Sequence, residues 1–281
     1  MLSSATASPA SFPVLELDKA RAIFVRDARL AVSYELNFVI QWLGLFVQVI
    51  IAFLLGRLVP PSPHFGFGGT PGSYFDYVII NLAFVGFQAS ALQSFAKVIR
   101  EGQLQGTLEV VLSTPTSLSL VVLSGGLWFF AFAFLQTIAY FTFAIFFGLD
   151  LHHINVLTAV VFFLLMILSL SPFGVLTAAT TMALKQTGPV NFVMDSLAAV
   201  FGGLYFPVAA LPHTMQVVSW LLPITHALNG LRAAVSGATL AQVAPDAVWL
   251  CVASIVLLPT SLFVFDRAVH VAKIDGTLGS Y

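Results

Sequence analysis

Long apolar runs separated by short polar connections dominate this chain. A helix needs about 20 mostly apolar residues to cross a bilayer. Six apolar runs reach or approach this length, and they are residues 36–59, 74–96, 118–148, 156–184, 190–206 and 248–265. The pattern therefore predicts an all-α integral membrane protein with six transmembrane helices.

The N-terminal region has a different pattern. Residues 16–34 place Leu17, Ile23, Phe24 and Leu30 at helical spacing, with basic residues largely between them. This predicts an amphipathic helix at the membrane surface, and a solvated linker is the alternative. Residues 1–15 are rich in Ser, Ala, Thr and Pro, which predicts a disordered tail. We expect the membrane domain to cover residues 35–270 and a cytoplasmic tail to cover residues 271–281.

The longest polar interval lies between the second and third apolar runs, at about residues 100–116. It predicts a short helix that stops before Pro115. At helical spacing, Glu101, Gln105 and Glu109 share one face, and the apolar residues of the interval share another. Such a helix can pack on membrane helices and meet a partner protein, or it can be a surface helix without a partner.

A second unusual interval, residues 207–237, follows the fifth apolar run. It is too apolar for a solvated loop, and Pro207, Pro212 and Pro223 interrupt it too often for a simple span. Non-helical backbone at membrane depth is tolerated only when protein or a water-filled cavity surrounds it. This interval therefore predicts a re-entrant or interfacial helical element between helices 5 and 6.

Composition and charge place this architecture in a membrane. Only 8% of the residues are charged, against roughly 25% in soluble domains. With six spans and an internal N-terminus, nine of the eleven basic residues fall on the cytoplasmic side. We thus expect a multi-pass protein of the cell membrane, with both termini and residues 100–116 inside and residues 207–237 outside. The net charge of −1 gives no indication of nucleic-acid binding.

Few residues are candidates for chemistry. Asp195 lies inside the fifth run, where a charge is costly and usually faces a cavity or a partner. It predicts a conduit-lining or helix-packing residue, or an interfacial residue if the span begins later. The histidines have no metal-ligand spacing and no acid/base set accompanies them, so we predict no catalytic residue and no metal site. The chain also has no phosphate-binding motif, so any ATP-driven activity requires another subunit.

Two segments resemble those of type-2 ABC-transporter permeases, a family of drug, polysaccharide and lipid-linked glycan exporters. The segment EGQLQGTLEVVLSTPTS resembles the family's coupling helix, which contacts the ATPase. The residues that carry this match are Glu101, Gly106, Thr107, Leu108, Glu109, Leu112 and Pro115. The segment GGLYFPVAALPHTMQVVSWLLPITHALNGLRAA resembles the family's outer element, and its matching residues include Pro207, Pro212, Pro223, His226 and Arg232.

The resemblance implies a permease subunit of an ATP-binding cassette exporter that has no ATPase site of its own. It implies a conduit built with a second permease, identical or related, and two ATPase subunits that bind ATP and Mg²⁺. The substrate would be an amphipathic, lipid-linked or glycan molecule, and membrane lipids would surround the complex. Two other readings remain open at this point: a membrane enzyme that uses His152, His153 or His226 at the outer face, and a non-transporting scaffold.

Overall fold

The computed structural model describes residues 12–33, 35–65, 72–104, 118–184 and 188–274. Within these ranges the chain is all-α, with nine helices and one 3-10 turn, Val208–Ala210. The helices are α1 Phe12–Ser33, α2 Glu35–Leu58, α3 Tyr74–Leu104, α4 Leu118–Phe146, α5 Val156–Leu184, α6 Gly188–Phe201, α7 His213–Leu221, α8 Pro223–Val235 and α9 Ala244–Ile274.

Five of these helices are long and apolar enough to cross a membrane, namely α2, α3, α4, α5 and α9. The fifth predicted span corresponds to α6, which has 14 residues and a shorter apolar part, Asn191–Phe201. At 1.5 Å per residue α6 is about 21 Å long, less than the hydrocarbon thickness of roughly 30 Å. The sixth crossing therefore stays a prediction.

Helix α3 is the centre of the bundle. It packs against α4 on one side and α5 on the other, and α5 in turn packs against α8 and α9. Phe87, Ala91 and Ile99 of α3 are completely buried. The α3–α5 contact is close because Gly174 has no side chain: a Cβ atom there would lie 2.0 Å from the Ala91 carbonyl oxygen.

The bundle has two ends, which we name by residues of α3. The Tyr74 end is where α3, α5 and α9 begin, and it carries the broken helical segment of residues 202–243. The Glu101 end is where α3 and α9 finish and where α2 and α4 begin. Helix α1 packs against α4, with the Phe24 and Trp128 rings edge to face at 5.7 Å.

Several boundaries differ from the sequence predictions. Helix α1 begins at Phe12, before the predicted start at residue 16, and residues 1–11 lie outside the described part of the chain. Helix α3 continues through Arg100 and Glu101 to Leu104, so the polar interval starts as its last turn. Of the predicted coupling residues, Gly106, Thr107, Leu108, Glu109, Leu112 and Pro115 lie outside the described residues.

Segment 207–237 is helical and broken at its prolines. Pro207 precedes the 3-10 turn, Pro212 is the N-cap of α7, and Pro223 is the first residue of α8. Proline fits these positions because the first turn of a helix leaves its N–H groups unpaired anyway. That this segment is re-entrant or interfacial stays a prediction, because its position relative to a bilayer is not part of the helix geometry.

A polar pocket at the Tyr74 end

A pocket of about 470 Å³ opens at the Tyr74 end of the bundle. Five parts of the chain build its wall: the α2–α3 connection, the start of α3, the α4–α5 connection, the 3-10 turn with α7 and α8, and the start of α9. Its polar and charged lining residues are His64, Asp76, Tyr77, Asp150, His153, Asn229, Arg232, Ser236 and Asp246. In a chain with 8% charged residues, this concentration of polar groups marks the pocket as the candidate site.

Arg232 of α8 is the main positive group of the pocket. Its Nε donates a hydrogen bond to Asn81 Oδ1 at 3.0 Å, and Nη2 donates to the Gly203 carbonyl oxygen at 3.1 Å. A longer bond joins Nη1 to Asn229 Oδ1 at 3.4 Å. The guanidinium carbon also lies 4.7 Å from the centre of the Tyr77 ring, a cation–π distance. Arg232 thus joins α8 to α3 and to the turn that follows α6.

Gly203 is the acceptor on which these contacts converge. Its carbonyl oxygen accepts from Arg232, from the Tyr77 hydroxyl and from Asn81 Nδ2, the last at 3.2 Å. Asn81 Nδ2 also donates to the Leu204 carbonyl oxygen at 2.7 Å. Gly203 has a φ of +73°, which L-residues with a side chain rarely adopt. The turn after α6 therefore depends on glycine.

The partners of Arg232 are all neutral. Among the residues that the structure describes, no carboxylate lies within ion-pair distance of its guanidinium. The Asp246 carboxylate pairs with His226. Burial lowers the pKa of Arg232, yet an arginine stays protonated in proteins. The pocket therefore holds a fixed positive charge without a fixed counter-charge beside it.

His226 lies behind the pocket wall with both ring nitrogens engaged. Nδ1 donates to Asp246 Oδ1 at 2.5 Å, and Nε2 donates to the Trp220 carbonyl oxygen at 2.8 Å. Both partners can accept hydrogen bonds, so the two contacts are satisfied together in the doubly protonated form of the ring, the imidazolium. Trp249 stacks on it, with centroids 4.7 Å apart at 15°. The ring thereby ties α7, α8 and α9 together.

The pKa of His226 agrees with this geometry. Burial alone lowers the pKa of the ring. The hydrogen bond to Asp246, the bond to the Trp220 carbonyl and the Asp246 charge all raise it, and together they outweigh burial. The pKa of His226 therefore lies above its ordinary value of 6.5. A doubly protonated, fully bonded ring has no lone pair with which to act as a base.

Two further carboxylates face the pocket. Asp76 is partly buried in the first turn of α3, and Asp150 is exposed in the α4–α5 connection. Asp150 Oδ1 accepts from the His152 backbone N–H at 2.8 Å. Within the described part of the chain, the Asp76 carboxylate has no hydrogen-bond or ion-pair partner. The pocket thus contains charges of both signs on different walls.

The other predicted site residues lie elsewhere. Glu101 is exposed in the last turn of α3, at the end opposite the pocket. Asp195 is exposed on α6, on the same side as Phe192, whose side chain is 74% exposed. His152 and His153 are both exposed, and His153 lines the pocket. The structure therefore gathers Arg232, His226 and the three prolines at one end and leaves Asp195 and Glu101 apart from them.

Sequence reasoning missed Asn81, Tyr77, Asp76, Asp150 and Gly203. A signal was present for one of them, because Asn81 is an amide inside an otherwise apolar helix, and such residues usually have a specific partner. Gly203 carried no comparable signal. Its role depends on a backbone angle and on residues more than 120 positions away.

Comparison with known families matches this chain to one model. The model described as "ABC-2 family transporter protein" matches residues 61–263, which is more than half of the chain. The matched range includes the whole pocket, Asp195 and the predicted coupling segment. No curated protein matches the sequence.

Proposed function

Because this chain belongs to the ABC-2 transporter family, we propose that it is the permease subunit of an ATP-driven exporter. In this proposal it forms a conduit for an amphipathic, lipid-linked or glycan substrate. A separate ATPase, in two copies, binds ATP and Mg²⁺ and supplies the energy. The subunit lies in the cell membrane with its Glu101 end in the cytoplasm and its pocket outside. This orientation puts nine of its eleven basic residues on the cytoplasmic side, where such residues are enriched.

The observation that carries the proposal is the continuity of α3. This helix runs unbroken for 31 residues, from Tyr74 to Leu104, a length of about 46 Å. Its first turns hold Tyr77 and Asn81, which bind the Gly203 carbonyl at the pocket. Its last turn holds Glu101, the first residue of the predicted coupling segment. One rigid element thus connects the predicted ATPase contact to the pocket.

This connection supports a mechanism of coupled movement. Closure of the ATPase pair would push the coupling segment, and α3 would carry the shift through the bundle. At the pocket, the shift would act on the contacts of Asn81 and Tyr77 with Gly203 and Arg232. Packed helices and interfaces have discrete arrangements rather than continuous ones, so a small displacement at one end can switch the other end between open and closed.

The second permease copy has a place in this arrangement. Helix α6 leaves Phe192, Val193 and Asp195 exposed in the single chain. A carboxylate at membrane depth requires a protein or a water-filled environment rather than lipid. We place Asp195 where two permeases, identical or related, face one another across the conduit. The Thr177 hydroxyl of α5 donates to Asn191 Oδ1 of α6 at 3.1 Å, and this bond would keep α6 on the bundle.

The test is a pair of changes in the coupling segment. Leu108→Ala combined with Glu109→Gln removes the predicted apolar and acidic contacts with the ATPase. We expect normal membrane insertion, loss of co-purification with the separately encoded ATPase, and at least a tenfold loss of transport. The matched control is Asp266→Asn, which removes an exposed carboxylate of α9 near the same end and should leave both readouts unchanged. Full transport in the double variant would refute the coupling role.

A further inference from the structure

We infer that the pocket at the Tyr74 end binds a zwitterionic headgroup, with Arg232 receiving its phosphate and Asp76 and Asp150 its ammonium. This inference deepens the proposed function, on which it rests for the outward position of the pocket, and it names the chemical class of molecule that the pocket accepts. Four observations lead to it, and they concern the positive wall, the negative wall, the size of the pocket and its rim.

The positive wall is the Arg232 guanidinium. A guanidinium has five N–H donors in a planar fork, and the described partners Asn81, Gly203 and Asn229 each take one bond. These bonds leave two N–H donors of a residue that lines the pocket. A partly enclosed charge surrounded by neutral acceptors gains most from an incoming anion, and a phosphate oxygen pair fits the fork geometry.

The negative wall is formed by Asp76 and Asp150. Both line the pocket, and within the described residues neither forms an ion pair. The third carboxylate of the lining, Asp246, is already paired with the His226 ring at 2.5 Å. The two walls therefore have opposite charges and do not neutralise each other by direct contact.

This division of charge disfavours the binding of ligands that carry charge of a single sign. An anion with no amine would meet Arg232 favourably, but it would face two carboxylates across the same pocket. A cation with no phosphate would meet the two carboxylates favourably, but it would be repelled by Arg232. A headgroup with a phosphodiester and a primary ammonium satisfies both walls. The ammonium donates hydrogen bonds to carboxylates, which a quaternary amine cannot do.

Size and rim fit such a group. A volume of about 470 Å³ lies within the roughly 300–1,000 Å³ of typical small-molecule sites. Trp220 lines the pocket and is 46% exposed, and Tyr205 is 49% exposed nearby, where the Tyr74 hydroxyl donates to its carbonyl oxygen at 3.3 Å. Tryptophan and tyrosine are enriched at the membrane–water interface. A lipid could place its headgroup in the pocket and keep its chains beyond this rim.

The test is a binding titration of the purified full chain, without ATPase or nucleotide. Native mass spectrometry would compare phosphatidylethanolamine, phosphatidylglycerol and phosphatidylcholine of the same chain length, together with soluble glycerophosphoethanolamine. For the wild type we expect phosphatidylethanolamine to bind about tenfold more tightly than phosphatidylglycerol, the effect of one or two charge-assisted hydrogen bonds. The affinity for phosphatidylcholine should lie between the affinities for phosphatidylethanolamine and phosphatidylglycerol.

The variants give opposite shifts that misfolding cannot produce. Asp76→Asn with Asp150→Asn should weaken phosphatidylethanolamine binding and strengthen phosphatidylglycerol binding, which abolishes the preference. Arg232→Gln should weaken both, and the matched control Arg57→Gln, at an exposed arginine near the same end, should change neither. Comparable affinity of glycerophosphoethanolamine would support the same chemistry with a soluble ligand as its source.

Equal affinities of the wild type for phosphatidylethanolamine and phosphatidylglycerol would overturn the inference. A parallel loss of both in the aspartate variant would also do so. These results are separable from the proposed function, because no ATPase takes part. If the headgroup preference holds while the ATPase fails to co-purify, the exporter proposal falls and the pocket assignment stands.

Discussion

Replacing His226 with glutamine would remove the imidazolium that joins α7, α8 and α9. In the wild type the ring donates to Asp246 at 2.5 Å and to the Trp220 carbonyl at 2.8 Å, and its residue is 7% exposed. Glutamine keeps a polar group at this position but has neither the charge nor the flat ring that stacks on Trp249. Hydrogen bonds to charged groups contribute about 1.5–3 kcal/mol, so we expect a loss of about 2 kcal/mol in the free energy of unfolding.

The pH dependence of this loss follows from the raised pKa of His226. A group whose pKa is higher in the folded state stabilises the fold fully below its unfolded pKa, here about 6.5. That contribution disappears as the pH rises through the folded pKa. Asp246 is the charged group that faces the ring, and α5, which packs on α8, contributes no ionisable side chain. Wild type and variant should therefore differ at pH 6 and converge at alkaline pH.

The assay is thermal unfolding in detergent between pH 5.5 and 9, followed by near-UV circular dichroism. A loss of about 2 kcal/mol corresponds to roughly 4–8 °C in Tm for a chain of this size class. The control Asp246→Asn keeps an acceptor for Nδ1 but removes the negative charge, so its stability should begin to fall at a lower pH than in the wild type. Parallel pH profiles for wild type and His226→Gln would refute the doubly protonated ring.

Two further predictions concern the turn after α6 and the exposed face of that helix. Gly203→Ala forces a side chain into a φ of +73°, with its Cβ atom 3.3 Å from Arg232 Nη2. We expect a loss of about 1–3 kcal/mol in the free energy of unfolding, measured as a lower Tm. The control Gly44→Ala, whose Cβ atom meets no atom within 4 Å, should be neutral or slightly stabilising. A Gly203 variant as stable as wild type would contradict the role of this turn. Asp195→Asn should change the transport rate or the range of substrates at unchanged expression if the carboxylate lines the conduit, and wild-type transport would instead favour an interfacial position.

Much of the fold was predictable because the dominant signal is local. The long apolar runs correspond to α2, α3, α4, α5 and α9, since the length that crosses hydrocarbon is a property of consecutive residues. The three prolines of segment 207–237 marked its breaks correctly, because proline restricts the backbone wherever it occurs. Helix ends were less predictable: α3 extends through Glu101, where polar side chains favour helix as readily as apolar ones.

The candidate site was predictable only in part. Arg232 and His226 were identified because the segment that contains them resembles the outer element of type-2 ABC-transporter permeases. The hydrogen-bond partners of these two residues were not identified. Charge alone does not assign them, because α9 places the Asp246 carboxylate beside His226, while α3 supplies Asn81 and Tyr77 to Arg232. Opposite charges in a sequence do not reveal which pairs the packing of the helices brings within bonding distance.

The sequence by itself determined the all-α membrane class of this protein and the order of its five long apolar helices, and two of its segments resemble those of ABC exporter permeases. Each of these depends on neighbouring residues. The pocket depends on contacts between positions such as Tyr77 and Gly203, which are 126 residues apart, or Asn81 and Arg232, 151 apart. Only the packing of α3 and α8 around the turn after α6 brings them together, and it places Arg232, Asp76 and Asp150 in the lining of one pocket. That arrangement of charge is a property of the fold because no local pattern contains it.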